Sequence, residues 1–296
     1  MRPATRGTAP GGARRSAADL YHRAMPPLIS SSTVAAVNEA RWAQGDLVRA
    51  YTSRTLRPVE VLLFVRLREN LSGVVLELGS GAGRIGGYLV TLAREFHGID
   101  LAPQMVAESR RRYPSGDFAQ GDMRDLTRFA DNSLDAVIAG CNLLDVFDDE
   151  ERRQVLREIR RVLAPNGVLI MSSHNRAYLA RVRPPWHVRL SGLLHGRPRG
   201  VLEFVADLVR APRRISRHRR LRVLERRTLD FAIVSDGAHE FSLVHYFIDP
   251  AAQFRQFREE GLEPELAADL DGRPITRGDQ APDCPEIHYV ARKPAT

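Results

Sequence analysis

The chain reads as an α/β fold: a doubly wound, mostly parallel sheet, preceded by helices and interrupted after its fifth strand by a helical and hairpin insert. Three observations predict this. Short apolar runs alternate with amphipathic helical stretches between residues 73 and 171. The connections between them are a few residues long, as βα units require. The first apolar run breaks into a glycine-rich loop that leads directly into a helix. With 43% hydrophobic residues spread along the chain, a sizeable core is expected and wholesale disorder is excluded. No apolar run approaches the ~18 residues of a membrane span. The longest, from Val59 to Val65, is interrupted by Glu60.

Residues 1–18 are Arg, Ala, Gly, Pro and Ser without periodicity, and a disordered basic tail is expected there. Residues 19–70 are assigned to N-terminal helices, with Val34, Val37, Ala40, Val61, Phe64 and Val65 at helical spacing. Gly73–Leu78 is the first strand, ending in Gly79-Ser80-Gly81-Ala82-Gly83. The spacing predicts a helix over Arg84–Phe96, a strand over His97–Asp100, and a helix opened by Pro103 that runs to about Tyr113. Asp117–Gln120 and Ser133–Gly140 are the third and fourth strands. A charged helix, about Asp148–Leu163, leads through a Pro165-Asn166-Gly167 turn into the fifth strand, Val168–Met171. After His174 the rhythm breaks. Residues 176–225 look helical, and Thr228–Ser235 and Phe241–Ile248 look like a hairpin around Asp236-Gly237. A helix at Pro250–Glu260 and strands near Leu262–Ala268 and Ile287–Ala291 close the chain. The core is thus assigned to 71–175 and 249–293, with 176–248 inserted.

Charge is uneven. The net charge is +8, and 43 of the 44 cations are arginine. Residues 175–227 hold 15 arginines against Glu203, Asp207 and Glu225, a local charge of +12, and residues 1–23 carry +4. The remainder is therefore acidic. Cys141 and Cys284 make neither a disulfide scaffold nor a cysteine zinc site, and no metal is expected. A reduced, cytoplasmic setting is the expectation.

The loop after the first strand carries the chemistry. Its glycines let the backbone turn sharply and approach a ligand. Two cofactor classes use such a loop. In the dinucleotide pattern, with the first glycine directly after the strand, Arg84 stands where the third glycine belongs. The alternative frame, Gly81, Gly83, Gly86, starts too far past the strand.

Glu77-Leu78-Gly79-Ser80-Gly81-Ala82-Gly83 resembles the first motif of the class I S-adenosylmethionine (SAM)-dependent methyltransferases. Asp100, 23 residues after Glu77, stands where that family's ribose-binding acid falls. Gly121-Asp122-Met123 stands at the adenine position, and the 133–137 and 163–169 segments resemble the family's fourth-strand and fifth-strand signatures. The resemblance implies a Rossmann-like seven-stranded sheet of order 3-2-1-4-5-7-6 with the seventh strand antiparallel. It implies SAM as cofactor, held by Glu77, Gly79, Ser80, Gly81, Gly83, Asp100, Leu101, Asp122, Met123 and Cys141. Neither the Pro-Cys of cytosine methylases nor the Asn-Pro-Pro-aromatic motif of amino-adenine methylases is present, since the chain reads Cys141-Asn142-Leu143-Leu144.

Methyl transfer from a sulfonium needs alignment of the acceptor and, for a hydroxyl, a base. Candidates follow the carboxyl ends of the strands, where such sheets bind ligands. They are His174 as base, with Asp145, and Asn142, His245 and Tyr246 as acceptor contacts. The Arg-rich insert is the expected acceptor lid. A small-molecule acceptor, possibly anionic or glycan- or lipid-linked, is the first reading, to be attached at O or N. An RNA acceptor clamped by the insert and a non-catalytic SAM-binding protein are the alternatives. Peripheral membrane contact stays open, and so does the oligomeric state.

Overall fold

The computed structural model describes residues 33–42, 55–188, 198–276 and 278–295. The expected tail at 1–18, the helical stretches at 19–32 and 43–54, and residues 189–197 of the insert lie outside these. Among the described residues no helix is long and apolar enough to cross a membrane.

Among the described residues three helices precede the sheet: α1 (Val34–Trp42), α2 (Pro58–Arg66) and α3 (Arg68–Leu71). Then β1 (Val74–Leu78), α4 (Gly86–Leu92), β2 (Glu95–Asp100), α5 (Pro103–Arg112), β3 (Asp117–Gln120) and β4 (Leu134–Ala139) alternate. The 3-10 turn Leu143–Val146, α6 (Asp149–Val162) and β5 (Leu163–Asn175) follow. The insert holds the 3-10 turn Arg176–Arg181, α7 (Pro198–Leu221), β6 (Arg226–Arg227), β7 (Phe231–Val234) and β8 (His245–Ile248). The chain ends with α8 (Pro250–Glu259), β9 (Glu263–Ala268) and β10 (Glu286–Arg292).

Strands β3-β2-β1-β4-β5 are parallel neighbours in that order. β10 lies antiparallel on β5, and β9 on β10. This is the expected 3-2-1-4-5-7-6 order, with β9 and β10 as its sixth and seventh strands. Helices on both faces bury the central strands twice over, so β1 and β4 carry the apolar runs Val74–Leu76 and Ala136–Ala139. Strand alternation then sorts them: Val137 and Leu169 pack with Ile159, Phe257 and Tyr289, while Ile138 and Ile170 pack with Leu63 and Leu89.

Three local expectations need correction. The helix predicted over Arg84–Phe96 ends at Leu92, and Phe96 belongs to β2, paired with Val75 and packed edge-on against Phe118 at 5.3 Å. Burial against the sheet overrides the helical pattern there. The Pro165-Asn166-Gly167 turn lies within β5, since Asn166 and Gly167 keep bonding to Lys293 at 3.0 and 2.9 Å. Asn166 takes a left-handed φ of 65°, and the β4–β5 register shifts between Leu134 and Ala136. The hairpin is also shorter than expected, with β7 and β8 pairing only over Phe231–Val234 and His245–Ile248.

Among the described residues the insert pairs with the core strands at one place, the end of β5. β5 is longer than β4, whose last partner on it is Met171. Beyond that point His174 and Asn175 pair in parallel with Phe247 and Ile248 of β8, while His174 also faces Glu286 of β10. The register puts His174, His245 and Phe247 on the same face.

Candidate active site

A cavity of about 560 Å³ opens past the carboxyl ends of β1, β2, β4 and β5. One side is the glycine loop. Gly79 and Gly81 sit at φ 56° and 53°, where an L side chain is strained. A Cβ on Gly79 would come within 2.4 Å of the Leu143 side chain. Asp100 pins this loop: its carboxylate accepts from Gly81 N and from Ala102 N, both at 2.8 Å. It therefore anchors the loop and opens α5 together, and burial raises its pKa above the usual range.

Glu77 is the unusual group. It is buried at the end of β1, its Oε2 has no hydrogen-bond partner, and burial pushes its carboxyl up to about 8. Ser80 Oγ is likewise buried without a partner. Asp122 reaches the cavity, but Arg124 holds both of its oxygens at 2.6–3.1 Å. Burial raises the Asp122 pKa, and the Arg124 bonds and charge outweigh that, leaving it lowered.

The floor is strained. Cys141 and Asn142 follow β4 with left-handed φ of 58° and 56°. Asn142 N donates to Ser172 Oγ at 2.8 Å and Asn142 Nδ2 to Glu286 at 3.2 Å, while Asn142 Oδ1 is buried without a partner. Arg84, clamped by both oxygens of Glu60 at 2.6 and 2.7 Å, donates to Cys141 Sγ at 3.1 Å.

The far wall is built by β5 and the insert. His174 Nδ1 lies 2.7 Å from Asp145 Oδ2, and His174 N donates to the same oxygen at 2.6 Å. Asp145 is fully buried and also takes Ser173 Oγ at 2.7 Å and the equally buried Arg152 at 2.5 Å. Burial acts to raise the Asp145 pKa, but Arg152 and His174 more than offset it and hold it below the usual range. Gln253 and Gln256 bond Arg152 at 2.6 and 3.1 Å, and Arg152 lies 4.7 Å over the Tyr246 ring. With Nδ1 engaged, His174 has Nε2 for the cavity.

A second imidazole stacks on the first. The His245 ring lies 4.9 Å from that of His174, 29° from parallel, and its Nδ1 is 3.1 Å from Asp236 Oδ1. Burial acts to lower the His245 pKa, and Asp236 reverses this to a net rise. Donor atoms of His174, Asp236 and His245 lie within 4.8 Å of one another, so they could hold a cation.

Glu77, Gly79, Ser80, Gly81, Asp100, Leu101, Asp122, Met123, Cys141, Asn142, His174 and His245 thus line one cavity. Three expected residues do not. Gly83 packs under Tyr113, which a Cβ would approach to 2.7 Å. Tyr246 alternates to the opposite face from His245 and donates to Asp149 at 2.5 Å. Asp145 acts behind His174, and the cap of α6 is Asp148, which accepts from Glu151 N at 3.0 Å. Sequence reasoning missed Arg84, Arg152, Asp236, His239 and Trp42. The Asp236-Gly237 turn and His245 are both legible in the sequence, but their pairing is not.

The group that suits the loop side carries an ammonium for the orphan Glu77 oxygen, a diol for the remaining lone pairs of Asp100, and no bulk against Gly79. SAM has these features. Residues 75–167 match a family model described as a methyltransferase domain. A putative methyltransferase of Bacillus subtilis, YqeM, is 32% identical over 116 residues, which is 38% of this chain and 47% of that protein. A demethylmenaquinone methyltransferase of Thermotoga maritima is 34% identical over 117 residues, 39% and 47% of the two chains. The chain spans about half the length of the curated relatives it matches. Among solved structures, the 1,6-didemethyltoxoflavin N1-methyltransferase of Burkholderia thailandensis superposes with TM-score 0.54 at 14% identity, over 97% of this chain and 94% of that one. The fold and cradle define a class I methyltransferase domain. Residues 75–167 are thus a methyltransferase domain, SAM-dependent methyltransferases are what the chain is similar to in sequence and fold, and SAM is the cofactor that the loop side fits.

Proposed function

We propose that this chain transfers a methyl group from SAM to an oxygen or nitrogen of a small-molecule acceptor, with a hydroxyl acceptor best suited to the site. The observation that carries the reading is His174, oriented by a buried, ionised carboxylate on the same cavity as the glycine loop. When bound, SAM supplies an electrophilic methyl group on a sulfonium. The chain's own residues do the rest. His174 Nε2 takes the proton of the acceptor hydroxyl, and Asp145 stabilises the imidazolium that forms. Arg152 keeps Asp145 ionised, so the proton stays on the imidazole. Asn142 and His245 are the acceptor contacts, and His245, favoured in its protonated form by Asp236, donates to an acceptor oxygen. The insert walls the acceptor side with Ala238, His239 and His245.

The test combines two measurements on the full chain. Calorimetry with S-adenosylhomocysteine reads cofactor binding. Mass detection of methylated product, across panels of aromatic and sugar hydroxyls, amines and short RNAs, reads the acceptor. Turnover of a hydroxyl compound that collapses in His174→Ala supports the reading. Product only with RNA, or cofactor binding with no turnover in any panel, overturns it.

A further inference from the structure

Helix α7 presents two chemistries along one side. Val201, Leu202, Val205, Leu208 and Val209 recur at helical spacing over its first half, from 41% exposed at Val201 to 74% at Val209. That stripe is about 12 Å long at the α-helical rise. Arg213 and Arg219 continue the same side, exposed, and exposed Arg222, Arg226 and Arg227 follow. Single exposed aliphatic side chains are ordinary, but five contiguous ones are a contact surface.

The opposite side of α7 already has its partners. Buried Asp207 pairs with Arg214 at 2.9 Å, and Leu221 enters a cluster with Ile233, Val244 and Tyr246. Arg217 donates to Glu240 O at 3.3 Å, and Arg210 Nε lies 3.6 Å from Glu240 Oε1. The helix is thus tied to the turn after β7. His239, Glu240 and Phe241 of that turn take consecutive left-handed φ of 47°, 58° and 59°, and Ala238 and His239 wall the cavity.

We propose that α7 docks on an anionic lipid bilayer, laying the Val201–Val209 stripe into the interface and its following arginines on the headgroups. Charge selects this occupant. Residues 198–227 hold ten arginines against Glu203, Asp207 and Glu225, so a second copy docked on the same face would set like charge against like. The basic residues 1–23 fail for the same reason. Nucleic acid would meet the arginines but would find no exposed aromatic on the stripe for its bases, and no use for the aliphatics. An anionic bilayer surface satisfies both halves. The contact face and the cavity rim then share the turn at 238–241.

Co-sedimentation of the full chain with vesicles tests this. Binding is expected to phosphatidylcholine vesicles containing roughly one-third phosphatidylglycerol, and weaker binding to phosphatidylcholine alone, with the difference shrinking as salt rises. Leu202→Ser with Val209→Ser should weaken partitioning at least about tenfold. Arg213→Gln with Arg219→Gln should weaken it roughly fivefold per charge on the anionic vesicles alone. These side chains are exposed, so circular dichroism of the variants should match that of the parent. Absence of sedimentation with the anionic vesicles overturns the proposal. So does undiminished vesicle binding by the serine variant. A dimer in analytical ultracentrifugation that the serine variant dissociates, or RNA binding that outcompetes the vesicles, overturns it too.

Discussion

Glu77 and Asp145 are both carboxylates with almost no exposure; Glu77 lines the cavity at the end of β1, and Asp145 stands behind the cavity residue His174. Their environments are opposite. Asp145 takes hydrogen bonds from Arg152, Ser173 and the His174 backbone, with His174 Nδ1 beside it. Glu77 leaves Oε2 without a partner. Burial pushes both towards the neutral acid; Arg152 and His174 outweigh it at Asp145, whereas Arg84, clamped by Glu60, does not at Glu77, so one is held below the usual carboxylate range and the other rises to about 8. The His174 side is therefore satisfied within the protein, while the loop side is left with an uncompensated carboxyl. On the proposed reading the first is a preorganised base and the second a cradle for an ammonium.

The sharpest break of this contrast is Asp145→Asn. It leaves the buried Arg152 without its charge partner, which typically costs about 3–5 kcal/mol. Urea unfolding should read that loss, and much of it should return when Arg152→Met is added. Glu77→Gln should not share it. The sign with pH follows: Asp145 is depressed on folding, so its contribution is present above pH ~4 and is lost as pH falls through the lower folded value. Equal destabilisation by the two single changes would end the distinction.

His174→Ala probes the completed side chemically. With a hydroxyl acceptor, turnover should fall on the order of 10²–10⁴-fold, while S-adenosylhomocysteine affinity stays within a factor of about two. A loss below tenfold would leave His174 a hydrogen-bonded loop residue.

The same contrast explains what could be read from the chain alone. Glu77, the glycines, Asp100 and Asp122 fall at the ends of successive short strands, which strand alternation with glycine punctuation locates without any long-range information, and the methyltransferase resemblance implies their roles. The far wall depends on contacts that no local pattern encodes. Arg152, which pairs with Asp145, meets Gln253 and Gln256 about a hundred residues away. His245 and Tyr246 are neighbours in a strand, so one of them had to turn away from the cavity, and only the β5–β8 register decides which. Gly83 looked like part of the ligand loop because it shares the motif, but its missing side chain makes room for Tyr113. Phe96 was misplaced because an apolar residue at the end of a helical pattern is equally at home in a buried strand.

Asp100→Ala tests the loop side more gently. It removes the carboxylate that holds Gly81 and Ala102 and whose remaining lone pairs suit the ribose. Each charge-assisted bond is worth about 1.5–3 kcal/mol, so S-adenosylhomocysteine affinity should fall at least about tenfold. Because the loop loses its anchor as well, amide exchange at Gly81 and Ala102 should quicken in the cofactor-free protein. Unchanged affinity with faster exchange would make Asp100 an anchor only.

The smallest effect is the most specific to Glu77. Its folded value of about 8 lies above the unfolded 4.5, so the folded protein binds the extra proton between these values. Stability of the cofactor-free protein should therefore fall as pH rises from about 4.5 to 8 and level off above. A ligand ammonium reverses the preference by favouring the carboxylate, so binding must expel that proton. Affinity for S-adenosylhomocysteine should climb with pH, by at most about tenfold per unit, until pH ~8. The ligand's own ammonium sits beside a carboxylate and keeps its charge above the chain-terminal value of about 7.7–8.0, so affinity should level off past pH ~8 and turn down only at higher pH. Calorimetry in buffers of different ionisation heat reads the released proton directly. Glu77→Gln should abolish the rising limb, keep the falling one and release no proton. A parent protein whose affinity is flat below pH 8 would mean that Glu77 stays protonated in the complex and that the ammonium is held elsewhere.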